Sequence, residues 1–449
     1  MKILSIETSC DETAVSIIEA HGTTANPKFT ILGNTLYSQI HMHQEYGGVF
    51  PALAKREHAK NLVPMLEPAL KLAEHKCTES NISYATQTVS LTEEQVQHMT
   101  EILSKEIGLS DALFTFLNSH SIVDVDAIAV TEGPGLEPAL WVGVSFAKAL
   151  SIALQKPIIP VNHMEGHIVS VLYSEKNTEH HELTHIDTKD TVDEKSVQFP
   201  LLSLLISGGH TELVLSKDWH EYEVIGQTVD DAIGEAFDKV ARLMNLPYPG
   251  GPKISKLAEE SRVLRLRETN LQEDGSYIWN LPRPMLKSPD FNFSFSGLKT
   301  AVLYAVRDKT KSRTLEYKNA HAQSSEHASE HVASLLSDIE IKTLAEEFEN
   351  AVTEVLVHKT SRALRETGAV SLIIGGGVIA NTYIRNAFIE VTKSMNIPLF
   401  TPSVSLSTDN SVMIAIAGYL RWISNDSENK HQILHPSRAY ELTAKGNLS

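Results

Sequence analysis

Cysteine is scarce in this chain: Cys10 and Cys77 are the only two in 449 residues. Two thiols cannot build a disulfide framework, and a reducing cytoplasm is the expected setting. No run of 18 consecutive apolar residues occurs, so no conventional membrane span and no membrane partner are expected. The opening MKILSIETSCDET turns polar within a few residues. It has neither the apolar core of a secretory signal nor an Arg-rich transit pattern. Positive charge is also in deficit, with 39 Lys and Arg against 56 Asp and Glu and a net charge of −17. That balance argues against a general nucleic-acid coat protein but leaves room for a local basic groove. Neither G-x-G-x-x-G nor G-x-x-x-x-G-K-[ST] is present. What the chain has is apolar residues, 42% of the total, enough for a large core. At about 150 residues per domain, two or three domains are expected.

The negative charge is concentrated. Residues 172–198 hold seven acids and three bases, and residues 326–349 hold seven acids and one base. The first stretch reads as a surface insertion between strands, carrying His180, His181, Glu182 and His185 as loop residues. The second reads as a helix with a solvated acidic face, its apolar side formed by Ala333, Leu335, Leu336, Ile339, Leu344 and Phe348.

Two segments share one plan. KILSIE, a polar turn, AVSIIEA and ILGNTLYS predict three strands near the start. LLSLLI, SGGHT, ELVL and YEVIG repeat the pattern after residue 200. This weak repeat points to duplication of one α/β unit. Residues 91–118 predict one or two helices, VDAIAV a buried parallel strand, and the apolar run after Gly135 a long helix on a sheet. DDAIGEAFDKVARLM predicts a helix with Asp at its dipole-favoured start. Residues 261–295 read as partly irregular.

His163 and His167 sit at i and i+4 in HMEGH, one face of a helix, a spacing that can chelate zinc or ferrous iron. Ordinary hydrogen-bonded histidines fit the same spacing. Glu165 lies one place later than in the zinc-protease pattern H-E-x-x-H, which turns it away from the general-base position. Asp409, in LSTDN before a helix, is a candidate third ligand reached from the second half; the plainer role there is an N-cap. In the turn Thr8–Thr13, Asp11 and Glu12 can position a metal, a water or an amine, or simply form a polar turn. Cys10 lacks a base partner, and a structural role is expected. Leu205, Ile206, Ser207, Gly208 and Gly209 form a hairpin turn whose N–H groups can also cradle a phosphate. Gly375-Gly376-Gly377 leads through Asn381 into a helix, either an anion site or a tight turn. Asp238 can accept from a ribose hydroxyl, and Gly251 permits close approach.

Together, SIETSCDETAVSI, GGVFPALAKREHAKNLVPML, NHMEGH, LISGGHTEL, DDAIGEAFDK, YPGGP, FSFSGLKTAV, GGGVIAN and STDNSVMIAIAG resemble the bacterial tRNA N6-adenosine threonylcarbamoyltransferase family, formerly called glycoproteases. The resemblance implies an actin-like, sugar-kinase and Hsp70-like α/β ATPase fold, two duplicated ribonuclease-H-like domains around a central cleft. On that basis residues 1–160 form the first domain, 161–172 the metal-ligand helix, 173–198 an acidic insertion, and 199–449 the second domain. The implied metal is Fe2+, with zinc possible, on His163, His167 and Asp409. The implied adenylate site is Leu205 to Gly209, Asp238, Gly251 and Asn381, with Ser255 where some members carry a nucleotide-binding Asp. The implied reaction passes a threonylcarbamoyl group from threonylcarbamoyl-AMP to the N6 amine of the adenosine 3′ of the anticodon, in tRNAs reading codons that start with A. The implied partners are tRNA, a paralogous protein of the same fold and a small P-loop ATPase. Asp11 or Glu12 is our candidate proton acceptor, and Lys55, Arg56, His58, Lys60, Lys253, Lys256, Arg283 and Lys299 a candidate positive path. The chain exceeds typical members near 71–125, 172–198 and 310–335. A same-fold regulatory or chaperone-like ATPase, a metalloprotease and a non-catalytic scaffold are the competing readings.

Overall fold

In the computed structural model, residues 1–173, 197–219, 221–267, 279–320, 336–424 and 433–448 are described. His180, His181, Glu182 and His185 of the acidic insertion, and the start of the acidic helix pattern, lie outside them. The chain divides into two units, Met1–Leu183 with Pro402–Ser449, and Thr184–Thr401.

The first unit opens with β1 (Lys2–Glu7), β2 (Glu12–Thr23) and β3 (Asn26–Ser38), an antiparallel meander. A short α1 (Ile40–His43) leads to α2 (Pro51–Glu79). Then come β4 (Thr86–Gln87), α3 (Glu93–Leu103), α4 (Leu109–Ser119), β5 (Ile122–Val123), β6 (Ala127–Gly133), α5 (Glu137–Leu154), β7 (Ile158–Asn162) and α6 (His163–Val169). The main sheet has the order β3-β2-β1-β6-β7, with β1, β6 and β7 parallel. Those three strands are almost wholly buried, as expected for strands covered on both faces. The addition near 71–125 is part of the core: Met99, Leu103, Leu113, Phe116 and Leu117 are buried against α2 and α5. Helix α5 is long and apolar enough to cross a membrane by length and composition, and most of it is buried inside this unit.

The second unit repeats the plan with β8 (Leu201–Ile206), β9 (Thr211–Asp218), β10 (Glu221–Gln227), α7 (Ile233–Leu243), α8 (Gly250–Arg267), α9 (Ser296–Ala320), α10 (Asp338–Thr367), β11 (Ser371–Gly375), α11 (Thr382–Met395) and β12 (Leu399–Phe400). Its sheet runs β10-β9-β8-β11-β12, with β8, β11 and β12 parallel. Strand order and directions match those of the first sheet, so the duplicated α/β unit expected from the weak repeat is present, as is the pair of ribonuclease-H-like units implied by the family resemblance.

Three expectations need correction. Residues 402–449 do not belong with the second unit. Helix α12 (Ser411–Ile423) packs across β2, β1 and β7. Tyr419 donates to the Gly22 carbonyl at 3.0 Å and Ser5 to the Ser411 carbonyl at 2.7 Å. This helix is apolar on nearly every face, and the first sheet supplies the surface that covers it. Second, the acids of α10 are not a solvated face. Glu346, Glu347 and Glu349 are buried and paired with Arg262, Arg265 and Arg283. A one-dimensional pattern cannot show that α8 brings two of those arginines alongside. Third, α7 begins at Ile233 with Glu235 the acid of its first turn, so neither Asp lies at the dipole-favoured start. Asp230 instead accepts from Ser294, Ser296 and the Phe295 amide at the start of α9, and Asp231 pairs with Lys239.

The α12 contact gives a stability test. A Cβ on Gly418 would lie 2.9 Å from the Ala129 Cβ on β6, whereas one on Gly297 meets nothing within 4 Å. Gly418→Val is expected to lower the unfolding free energy by about 1–3 kcal/mol through overpacking. Gly297→Ala should cost nothing. Urea denaturation of the two variants reads the difference.

Candidate functional site

The metal-ligand candidates meet inside the first unit alone. Strand β7 ends at Asn162, whose side chain accepts from the Met164 and Glu165 amides and so starts α6. His163 and His167 then project from one face, ring centroids 4.7 Å apart. Asp409 stands just before α12. The cap there is Asn410, which accepts from the Met413 amide at 2.9 Å and leaves the Asp409 carboxylate for the histidines. Asp409 Oδ1 lies 3.4 Å from His163 Nε2 and 3.2 Å from His167 Nε2. Ligand atoms from the three residues all fall within 4.8 Å of one another. The expectation that Asp409 reaches the pair from the other half is therefore corrected: α12 carries it into the first unit.

Glu7, which the sequence reading passed over, orders this cluster. It is fully buried at the end of β1 and accepts from the Ser9 amide (2.5 Å) and the Thr131 hydroxyl (2.6 Å). Its Oε2 lies 3.0 Å from His163 Nδ1. A proton on Nδ1 directed at Glu7 fixes the ring so that Nε2 faces Asp409. Burial would lower the His163 pKa, but the Asp409 and Glu7 carboxylates override it and raise it well above the usual value. Burial would likewise raise Asp409, yet the two imidazoles hold it well below the usual carboxylate range. The geometry thus calls for positive charge between two buried carboxylates. Two imidazoles and a carboxylate are a donor set for zinc or ferrous iron. Among the described residues, His167 Nδ1 is buried with no hydrogen-bond partner and Nε2 faces only the Asp409 carboxylate, so the ring is not tied down as an ordinary core histidine is and Nε2 is left to the shared metal face.

Glu165 is clasped by Arg421 through contacts of 2.9 and 2.6 Å. This ion pair confirms that it is turned away from the metal face, so Glu165 does not serve as the general base that the protease reading needs. Asp11 and Glu12 adjoin the same site. Burial raises the Asp11 pKa; burial and then the Asp11 charge raise Glu12 well above the usual value. Each carboxylate thus disfavours ionisation of the other, on top of the cost of burial. Glu12 also accepts from Ser38 at 3.1 Å. Burial, then Asp11, pushes the Cys10 thiol up, away from nucleophilic use.

In the second unit the predicted turns are neighbours because their strands are. Leu205 on β8 pairs with Gly375 on β11, so both glycine turns leave the same end of the sheet. Gly376 needs its φ of +91° and its missing Cβ, which would otherwise lie 2.4 Å from the Ile206 carbonyl oxygen. Ser207 to His210 close the hairpin, with Ser207 N–H on the His210 carbonyl at 2.9 Å. Gly208 and Gly209 face open space, while Gly234 at the α7 start abuts Gly208. Asp238 accepts from the Gly250 amide at 2.7 Å and so starts α8. Gly251 beside it has only the Phe237 Cβ at 4.0 Å. Asn381 caps α11 through the Ile384 amide, and its Nδ2 donates to Ser255 and to Glu349, each at 2.6 Å. Glu349, another residue the sequence reading missed, also accepts from Ser255 and Arg262.

Two members of the candidate positive path are otherwise engaged. Arg283 is held by Glu347 and Glu354. His58 is buried against Thr13, Gln39 and the Cys10 carbonyl. Lys253, Lys256 and Lys299 are exposed.

Comparison with known proteins agrees with this geometry. A family model described as tRNA N6-adenosine threonylcarbamoyltransferase (TsaD) matches residues 30–87 and 109–416. Proteins of that name are similar over nearly the whole length. The one from Polynucleobacter necessarius is 38% identical, covering 95% of this chain and 94% of its own. That from Staphylococcus epidermidis is 37% identical (93% and 91%), and that from Thermosipho melanesiensis 36% (93% and 94%). Among solved structures, full-length HypF is 13% identical with a TM-score of 0.45, over 95% of this chain and 47% of that one.

His58 gives a pH test. Burial lowers its pKa from 6.5 to about 4. Between those values the unfolded chain binds the extra proton, so stability rises with pH through this window. The contribution is complete above pH 6.5 and is lost as pH falls toward 4, on the order of 3 kcal/mol. His58→Gln should flatten that part of the stability profile measured by urea titration; unchanged slopes would refute the assignment.

Proposed function

The chain belongs to the tRNA N6-adenosine threonylcarbamoyltransferase family, and from that premise we propose that it transfers the L-threonylcarbamoyl group of threonylcarbamoyl-AMP to tRNA. The acceptor is the N6 amine of the adenosine 3′ of the anticodon, in tRNAs reading codons that start with A. The observation that carries the reading is the convergence of His163, His167 and Asp409, which a plain ATPase of this fold does not need.

The residues divide the work. The turn from Leu205 to Gly209, through the amides of Gly208 and Gly209 at its open tip, and the turn at Gly376 receive the adenylate phosphate, as N–H groups at strand ends do. Asp238, through the oxygen not given to Gly250, and Asn381 orient the ribose beside Gly251. His163, His167 and Asp409 would hold Fe2+, with zinc the second choice. When bound, that metal would supply Lewis acidity. Glu7 keeps the His163 ring in one orientation throughout. The adenosine amine is a weak nucleophile, because its lone pair is delocalised into the purine. It attacks the carbamoyl carbon, the bond from that carbon to the phosphate oxygen breaks, and AMP leaves with the electron pair. The Asp11–Glu12 couple takes the amine proton. Their raised pKa values bring them closer to neutrality, where a general base is more effective. Tight positioning of an already activated donor accounts for much of the rate. We place the reaction in the cytoplasm, with a paralogous protein of the same fold and a small P-loop ATPase as partners.

The test combines the purified chain, those partners, threonylcarbamoyl-adenylate and unmodified tRNA, and measures the modified nucleoside. His163→Ala with His167→Ala should take bound metal from one ion per chain to near zero and abolish product. Undiminished product after metal removal sinks the mechanism. Asp11→Asn with Glu12→Gln should lower turnover on saturating tRNA by roughly 10²–10⁴-fold while leaving metal content unchanged.

A further inference from the structure

The segment between β3 and α2 carries a feature that the transfer reading does not use. Tyr46 and Phe50 lie ring on ring, centroids 5.3 Å apart and planes within 16°. Tyr46 is 57% exposed and Phe50 49% exposed. The chain goes to some length to present them. A 3-10 turn, Gln44–Tyr46, is closed by Gly47 in the left-handed region at φ 64°, and Gly48 follows at φ 157°. The two glycines fold the backbone so that residue 46 returns over residue 50.

The pair is also held firmly from below. The Phe50 amide donates to His43 Nδ1 at 3.3 Å, and His43 Nε2 lies 3.2 Å from Gln39 Oε1. The Gln39 amide donates to the Asp11 carbonyl at 2.9 Å. His58 adds a second tie, to Gln39 and to the Cys10 carbonyl. The aromatic pair is thus anchored to the turn that carries Asp11 and Glu12. Beyond Phe50, the exposed face of α2 presents Arg56 and Lys60, about two-thirds exposed, which share one carboxylate, the buried Glu57. Lys55 adds a third cation, facing Glu106. Glu45 is the only exposed acid in residues 39–60.

A flat, half-exposed ring pair next to cations on a chain of net charge −17 is the combination that binds single-stranded nucleic acid. We propose that Tyr46 and Phe50 form a stacking platform for an unpaired base of the RNA substrate, with Arg56 and Lys60 meeting the adjoining phosphates. This deepens the transfer reading and rests on it, since it names the surface that receives the acceptor strand. Stacking tolerates any base, so the platform positions the strand, and recognition of the reacting adenosine lies elsewhere. Ordering of the loop before binding lowers the entropy cost of docking.

The experiment measures binding of an unmodified anticodon stem–loop RNA to the full chain, with no chemistry required. Tyr46→Ala with Phe50→Ala should weaken it roughly 5- to 150-fold, the usual worth of one stacked base. The thermal midpoint checks that the fold survives. Tyr46→Phe should bind like wild type. Tyr46→Leu with Phe50→Leu keeps apolar area but loses the flat faces, and should fail like the alanine pair. Arg56→Gln with Lys60→Gln should reduce the salt dependence of binding. Alanine or leucine pairs that bind RNA within twofold of wild type overturn the platform. A loss seen only in assembly with partner proteins, with RNA binding intact, also overturns it and assigns the rings to a protein contact. Wild-type chain that binds no stem–loop overturns the RNA reading itself, and the platform with it.

Discussion

Everything in the first unit's site depends on burying the carboxylate of Glu7 at the end of an apolar strand. A charge there is costly unless it is paired and fully hydrogen-bonded. The Ser9 amide, the Thr131 hydroxyl and the His163 ring meet that demand from three different segments. The turn after β1, the middle of β6 and the start of α6 are therefore fixed relative to one carboxylate. The His163 ring can turn only at the expense of leaving Glu7 unpaired. His163 and Asp409 inherit their geometry from this arrangement, and the acidic couple at Asp11 and Glu12 sits on the turn that Glu7 pins.

The second unit solves a related problem with a different carboxylate. Glu349 lies within α10, where Arg262, Ser255 and Asn381 converge on it. It ties the start of α11 to α8, and with Gly376 pressed on Ile206 it sets the spacing between the two glycine turns. Each unit thus builds its chemical face at strand ends, and each steadies that face with one buried acid whose partners are far away in sequence. The shared sheet order suits this use. Parallel neighbours β1 and β6, or β8 and β11, put successive strand ends and their turns side by side.

Much was readable along the chain. Apolar runs of strand length, the Gly-rich turns and the i, i+4 histidines are local signals, set by backbone geometry and side-chain period within a few residues. They were enough to predict the duplicated plan and to nominate His163, His167 and the hairpin at Gly208 and Gly209. Glu7 carried a faint signal, a lone acid in an apolar strand. Its partners lay 124 and 156 residues away. Glu349 carried less, hidden in an acidic run that looked like a solvated face.

Local pattern established that this chain would form two α/β sheets, where their turns would fall, and which residue types could ligate a metal or cradle a phosphate. Folding decided the membership of those sites. It placed α12, and Asp409 with it, on the first sheet, because that helix is apolar all round and needed a covered surface more than it needed its sequence neighbours. It also turned Glu346, Glu347, Glu349 and Arg283 from apparent surface charge into internal pairs. The reason is common to both: periodicity reports which face of an element is buried, whereas the identity of the covering element is set by long-range packing.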